Sequence, residues 1–286
     1  MNTPIIHTTI HTNGVNLHVA QAGAEDGPLL IFLHGFPDFW YGWRAQIDYF
    51  AARGYRVWAP DQRGYNLSDK PLPVAAYTLD QTAADVVGLI QAARVEKAYV
   101  VGHDWGAAVT WRVGQKFPQV LHKMAVLNAP HNGVFRKYMR THWRQLLRSW
   151  YIFYFQLPFL PQWGISRPNW LPLASALRGT ANRGAFSDAD LREYRQAWAR
   201  TGDGSSMLAW YRAAAQVRTE RLASPRVSVP TLIIWGAQDF ALERALAPLS
   251  LEMCDEGRLE FIEDASHWVQ RDAPDRVNTL LADFLI

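Results

Sequence analysis

Short apolar runs closed by polar or turn-forming residues punctuate the chain at positions 29–33, 55–59, 98–101, 124–127, 231–235 and 259–262. Their apolar character is continuous rather than alternating, the pattern of parallel strands covered on both faces. The intervening stretches 43–53, 80–93 and 105–117 read as helices. Strands alternating with helices predict an α/β fold with right-handed crossovers. Residues 5–21 read as an antiparallel hairpin turning at Asn13-Gly14. This rhythm stops near His131 and resumes near Val229. The sequence between is aromatic, Arg-rich and poor in strand signal, which predicts helices inserted over the C-terminal ends of the strands, where open α/β sheets bind ligands. The expected organisation is a mostly parallel central sheet in a core of residues 1–133 and 221–286, with a helical cap over 134–220.

Composition narrows this picture. A chain of 286 residues with 49% hydrophobic and 19% charged residues folds around a large core. The net charge of +3, without Lys/Arg runs, argues against a nucleic-acid partner. The 13 Trp, 13 Phe and 11 Tyr favour an apolar pocket. A lone cysteine, Cys254, excludes an intrachain disulfide and is expected to be a buried thiol. The N-terminal stretch lacks a basic segment followed by an apolar one, so a cytoplasmic location is expected. Residues 149–166 hold no charge, but Pro158, Pro161 and Gly164 oppose a continuous spanning helix. This segment is expected to be buried or to line a tunnel. Membrane contact is the lesser alternative, and no stable insertion is expected.

The most informative stretch is Gly102-His103-Asp104-Trp105-Gly106, placed between an apolar strand and a helix. Flanking glycines permit a sharp strand-to-helix turn that exposes the central side chain, here a carboxylate where serine is common. A serine that attacks a saturated carbon makes an ether, which water does not readily cleave. An aspartate makes an ester, which water can cleave at the carboxyl carbon. Asp104 is ionised at neutral pH and needs no base for its own attack. The bland alternative is an Asp that caps a helix.

Three further elements fall where such a nucleophile needs them. His34-Gly35-Phe36-Pro37 follows the first long apolar run, and its loop can aim the Phe36 N–H at the elbow, where it would form an oxyanion hole with the Trp105 N–H. Asp239 and His267 each follow a later strand, giving the order nucleophile, acid, base. His267 would activate water, and Asp239 would hold its tautomer and stabilise its charged form. Glu263 and Asp264 are weaker candidates for the acid. His34 and His103 are expected to bond the loops they occupy, and His131 to mark the start of the insertion.

Taken together, His34-Gly35-Phe36-Pro37-Asp38, Asp61-Gln62-Arg63-Gly64-Tyr65, the Asp104 elbow, Trp235-Gly236-Ala237-Gln238-Asp239 and Ser266-His267-Trp268 resemble the α/β-hydrolase-fold epoxide hydrolases over nearly the whole chain. The resemblance implies hydrolysis of epoxides to vicinal diols through an aspartyl ester. It also implies two cap tyrosines that donate to the epoxide oxygen, and the matching positions here are Tyr151 and Tyr211, with Tyr154 a rival to Tyr151. His34, Phe36, Pro37, Trp40, Trp105, Phe155 and Trp268 are expected around an apolar substrate pocket. No metal or organic cofactor is implied; the expected partners are an apolar epoxide and water, with the chain a monomer or homodimer.

Haloalkane dehalogenases, which share the elbow, are the alternative. Phe36 stands where many of them carry a halide-binding Asn. Asn128, at an alternative site for the acid in some of them, is an amide here. A hydrolase-fold binding protein without catalysis is a further alternative, opposed by the intact Asp104, His267 and Asp239. The family's Arg-Gly-x-Gly turn reads Arg63-Gly64-Tyr65-Asn66, where Asn tolerates a left-handed backbone.

Overall fold

The computed structural model describes residues 4–285. Met1, Asn2 and Thr3, part of the stretch read for a targeting signal, and Ile286 at the end of the expected core lie outside the described residues. Eight strands form one sheet in the order β1-β2-β4-β3-β5-β6-β7-β8. They are β1 Ile6–Thr12, β2 Val15–Gly23, β3 Leu29–Leu33, β4 Arg56–Pro60, β5 Ala98–His103, β6 Leu121–Leu127, β7 Thr231–Gly236 and β8 Gly257–Ile262. The β1–β2 hairpin turns at Asn13-Gly14 and joins β4 antiparallel, while β4 through β8 pair in parallel. Every residue of β3 and β7 is buried, which their unbroken apolar runs require.

Helices cover both faces. On one side α2 (Leu79–Ala92), α3 (Trp105–Lys116) and α11 (Leu246–Leu251) pack over Ile31, Val100, Val126 and Ile233. On the other, α1 (Arg44–Ala51), α12 (Val269–Asp272) and α13 (Pro274–Leu285) pack over Phe32, Val101, Leu127 and Ile234. Adjacent strand residues thus enter opposite cores, as the period of two demands.

Seven helices lie between β6 and β7: α4 (Asn132–Thr141), α5 (Trp143–Arg148), α6 (Trp150–Tyr154), α7 (Leu160–Ser166), α8 (Leu171–Thr180), α9 (Asp188–Ala199) and α10 (Ser205–Gln216). His131 caps α4, its Nδ1 accepting from the Gly133 amide at 3.2 Å. Ser187 and Asp190 close a capping box on α9. Buried polar bonds fix the insertion to the loops at the strand ends. The Tyr194 hydroxyl donates to Asp38 at 2.7 Å, the Trp198 indole to the Pro37 carbonyl at 2.6 Å, and the Trp210 indole to the Arg63 carbonyl at 3.0 Å. Asn66 takes a φ of 41°, in the left-handed region expected of that turn.

The uncharged segment 149–166 departs from the expectation of burial. Phe155 and Ile165 are buried, but Trp150, Phe153, Phe159 and Trp163 are 63%, 55%, 82% and 68% exposed. For Trp150 and Phe153 the reason is helical geometry, since the short α6 has an inner and an outer face and both are aromatic; Phe159 stands outside the helices, as the N-cap of α7. Among the described residues no helix is long and apolar enough to cross a membrane.

Candidate active site

Asp104 sits at the end of β5 with φ 51° and ψ −120°, a conformation that costs a non-glycine residue about 1–3 kcal/mol. The turn holds because its neighbours are glycines. A Cβ on Gly106 would lie 2.1 Å from the Leu33 carbonyl oxygen. Gly35 is required by Asp104 itself, since a Cβ there would lie 2.3 Å from Asp104 Oδ1. That approach lets the Phe36 amide donate to Oδ1 at 2.8 Å. The Trp105 amide makes no hydrogen bond to the Asp104 carboxylate in this state. It belongs to the first turn of α3, whose N–H groups have no partner within the helix.

The other oxygen, Oδ2, faces His267 Nε2 at 3.7 Å, an ion-pair separation rather than a hydrogen bond. His267 Nδ1 donates to Asp239 Oδ2 at 2.7 Å. Asp239 is fully engaged, because its Oδ1 accepts from the Ala241 and Leu242 amides at 2.8 and 2.9 Å. Burial opposes a charge on His267, yet Asp239 and Asp104 outweigh it and push its pKa up to about 10. Burial likewise opposes ionised Asp104, but His267 and the Phe36 N–H hold its pKa below the usual carboxylate value. Burial and the neighbouring His267 drive His103 down to about 3, so it is neutral, and its Nε2 donates to the His267 carbonyl at 2.8 Å. Trp268 stacks edge-on against His267 at 5.1 Å.

Across from Asp104 stand the two tyrosines. Tyr151 and Tyr211 have ring centroids 6.0 Å apart, nearly perpendicular. Burial chiefly, and the Asp104 charge after it, raise both phenols well above their usual pKa, so both keep their protons. Tyr154 is otherwise occupied: its hydroxyl donates to the Leu160 carbonyl at 3.1 Å. Phe36 and Phe155 pack against Tyr211 at 5.3 and 4.9 Å, and Trp105 meets it edge-on at 5.1 Å.

Other expected pocket residues stand further back. His34 is fully buried; its Nε2 accepts from the Gln62 amide, and its Nδ1 therefore donates to the Gly35 carbonyl at 2.9 Å. Its ring shapes the loop behind the nucleophile. Pro37 is buried with its carbonyl bound to Trp198. Trp40 packs on His7 and Tyr41 at 5.0 and 5.7 Å, toward the β1–β2 hairpin. Glu263 and Asp264 pair with Arg244 and Arg276 at the surface. An open cleft of about 700 Å³ beside Gln238 and Phe240 is lined by none of Asp104, His267, Tyr151 or Tyr211.

Sequence reasoning passed over two contributors. Asn128 was read only as a missing acid, but its Nδ2 donates to Asp239 Oδ2 at 2.8 Å while its Oδ1 accepts from the Gly236 amide at 2.8 Å. Its position at the end of β6, next to β7, was the available signal. Tyr65 is buried against His34 at 4.7 Å, its hydroxyl has no hydrogen-bond partner among the described residues, and burial chiefly, with the Asp104 charge after it, raises its pKa. Among the described residues no cluster of three or more His, Cys, Asp or Glu could hold a metal ion.

Comparison with known proteins gives the same grouping. Residues 28–274 match the alpha/beta hydrolase fold family. The AB hydrolase superfamily protein YfhM of Bacillus subtilis (strain 168) is 43% identical over 277 residues, covering 96% of each chain. Epoxide hydrolase 1 of Caenorhabditis elegans is 39% identical over 95% of this chain and 68% of its own. The Bacillus megaterium epoxide hydrolase, solved in complex with an inhibitor, superposes with a TM-score of 0.89 at 31% identity, over 97% of this chain and 99% of that one. The chain belongs to the α/β-hydrolase fold family and, within it, to the epoxide hydrolases.

Proposed function

We propose that this protein hydrolyses epoxides to vicinal diols through an ester on Asp104. The observation that carries the reading is the division of labour between the two Asp104 oxygens. Oδ1 is held by the Phe36 amide, and Oδ2 accepts no hydrogen bond from the described residues and faces His267 at 3.7 Å. Oδ2 attacks an epoxide carbon, and the C–O bond of the ring breaks toward the other carbon. Tyr151 and Tyr211 donate to the oxygen as charge develops, and their high pKa keeps a proton available.

Ester formation then changes the electrostatics. Asp104 loses its charge, and with it goes one of the two carboxylates that hold the proton on His267. The proton given up by His267 balances the one taken by the alkoxide. Neutral His267, still oriented by Asp239, takes a proton from water through Nε2, and the hydroxide attacks Cγ of Asp104. The charge that appears on Oδ1 is met by the Phe36 and Trp105 amides. Collapse of this intermediate releases the diol and regenerates the carboxylate.

The aromatic shell of Phe36, Trp105 and Phe155 supports uncharged aromatic or aliphatic epoxides as substrates. The test is diol formation from styrene oxide by the wild-type chain and its loss in Asp104→Asn. Halide release from bromoalkanes with no diol from any of several epoxides would instead assign the site to dehalogenation.

A further inference from the structure

Among the described residues, ten of the fourteen exposed large hydrophobic side chains fall between Trp143 and Leu171, most of them on α5–α7 and the turns that join them. Trp143, Leu147, Trp150, Phe153, Phe159 and Trp163 are each 55–82% exposed. Trp143, Leu147, Trp150 and Phe153 recur at helical spacing through α5 and α6. The Tyr154 hydroxyl ties the end of α6 to the start of α7, carrying the surface on to Phe159 and Trp163. Soluble monomers rarely leave so many large rings together in water.

Charge says what covers this face. Residues 131–187 contain eight Lys and Arg and no Asp or Glu. The remainder of the chain carries 21 basic and 26 acidic residues, so the small net charge conceals a basic insertion on an acidic body. Arg136, Lys137, Arg140 and Arg167 are exposed and have no carboxylate partner among the described residues. A second copy of the chain would bring like charges face to face. Exposed Trp, Phe and Leu within a basic segment, with the Arg144 guanidinium over the Trp143 ring at 5.6 Å, match the headgroup region of an anionic bilayer, where rings enter the interface and cations meet phosphates.

We propose that the α5–α7 face docks this protein on anionic lipid membranes without spanning them. The rings of Phe153, Phe159 and Trp163 lie in the interfacial layer, and Arg136, Lys137 and Arg140 contact lipid phosphates. The same short helix, α6, turns Trp150 and Phe153 outward and Tyr151 toward the site. An apolar substrate dissolved in the membrane therefore meets the protein one helix away from Asp104; this last point rests on the proposed epoxide chemistry, while docking itself does not.

The experiment is co-sedimentation of the full chain with vesicles of phosphatidylcholine alone and of phosphatidylcholine with about one-third phosphatidylglycerol. Expected is binding to the anionic vesicles that weakens at least about tenfold between about 0.05 M and 0.5 M salt. The double variant Phe159→Ser/Trp163→Ser and the double variant Arg136→Gln/Arg140→Gln should each lose it. Turnover of a water-soluble substrate, unchanged in both, shows that the variants are folded. Absence of binding to anionic vesicles overturns the proposal, as does binding that survives both variants. A dimer that dissociates in Phe159→Ser/Trp163→Ser, without vesicle binding, assigns the face to a second copy instead.

Discussion

Asn128 and His267 donate to the same oxygen: Asp239 Oδ2 receives Asn128 Nδ2 at 2.8 Å and His267 Nδ1 at 2.7 Å. With two backbone amides on Oδ1, the carboxylate cannot rotate, and the imidazole it holds keeps Nε2 aimed at Asp104. Asn128→Ala removes one of these bonds and leaves the Gly236 amide without its acceptor. Turnover should fall about tenfold, the equivalent of one ordinary hydrogen bond. The loss should lie in ester hydrolysis rather than ester formation. Rapid-quench measurement of the covalent species checks this: the variant should accumulate it, and an unchanged steady-state level contradicts the assignment.

In the proposed mechanism the two phenols share one task. Tyr151→Phe and Tyr211→Phe should each lower the rate of epoxide opening roughly 10- to 100-fold, with the double variant lower still. Because both act before the ester forms, neither change should build up covalent enzyme. Tyr154→Phe, whose hydroxyl bonds the Leu160 carbonyl, should stay within about twofold of wild type, well inside a single weak contact. Single-turnover rates of the three variants distinguish the donors from the packing aromatic.

Gly35 tests how tightly the nucleophile is held. An alanine Cβ would lie 2.3 Å from Oδ1 and 2.4 Å from Cβ of Asp104. Either the carboxylate or the Phe36 loop must then move, and displacement of this size costs on the order of 100-fold in rate. The expected result is a folded, nearly inactive protein, checked by circular dichroism beside an activity assay.

The His267 ion pairs give stability a definite pH dependence. Its pKa rises from 6.5 to about 10 on folding, so the stabilising charge is fully present below pH 6.5 and is lost as pH climbs toward 10. Asp104, whose pKa is lowered, contributes above its ordinary pKa and loses that contribution as pH falls below it. Thermal melts of wild type and His267→Gln should therefore diverge most near pH 6 and converge toward pH 10. A difference that grows with pH would contradict the charged state assigned to His267.

Much of this was legible in the sequence because it rests on local constraints. Continuous apolar runs located the parallel strands, and Asn13-Gly14 located the hairpin turn. Residues 102–106 announce the elbow because glycines two residues to either side of Asp104 permit the close approach of the strand and helix, and Asp239 and His267 follow β7 and β8 in chain order. What stayed hidden depends on contacts between distant elements. Asn128 meets Asp239 only because β6 and β7 are neighbours in the sheet. Trp40 packs on His7, a contact between residues far apart in the sequence that only the fold reveals. The exposure of Trp150 and Phe153 stays hidden because an aromatic residue in a short helix reads the same whether it faces inward or outward.

The claim on which the rest depends is that Asp104 carries the substrate. His267→Gln leaves Asp104 and the tyrosines in place but removes the group proposed to activate water. Intact-mass measurement of this variant after addition of styrene oxide, followed by peptide mapping, should show one epoxide mass added to the peptide containing Asp104, and Asp104→Asn should show none. Diol production by the wild type with no adduct in His267→Gln, or an adduct on any other residue, would contradict it.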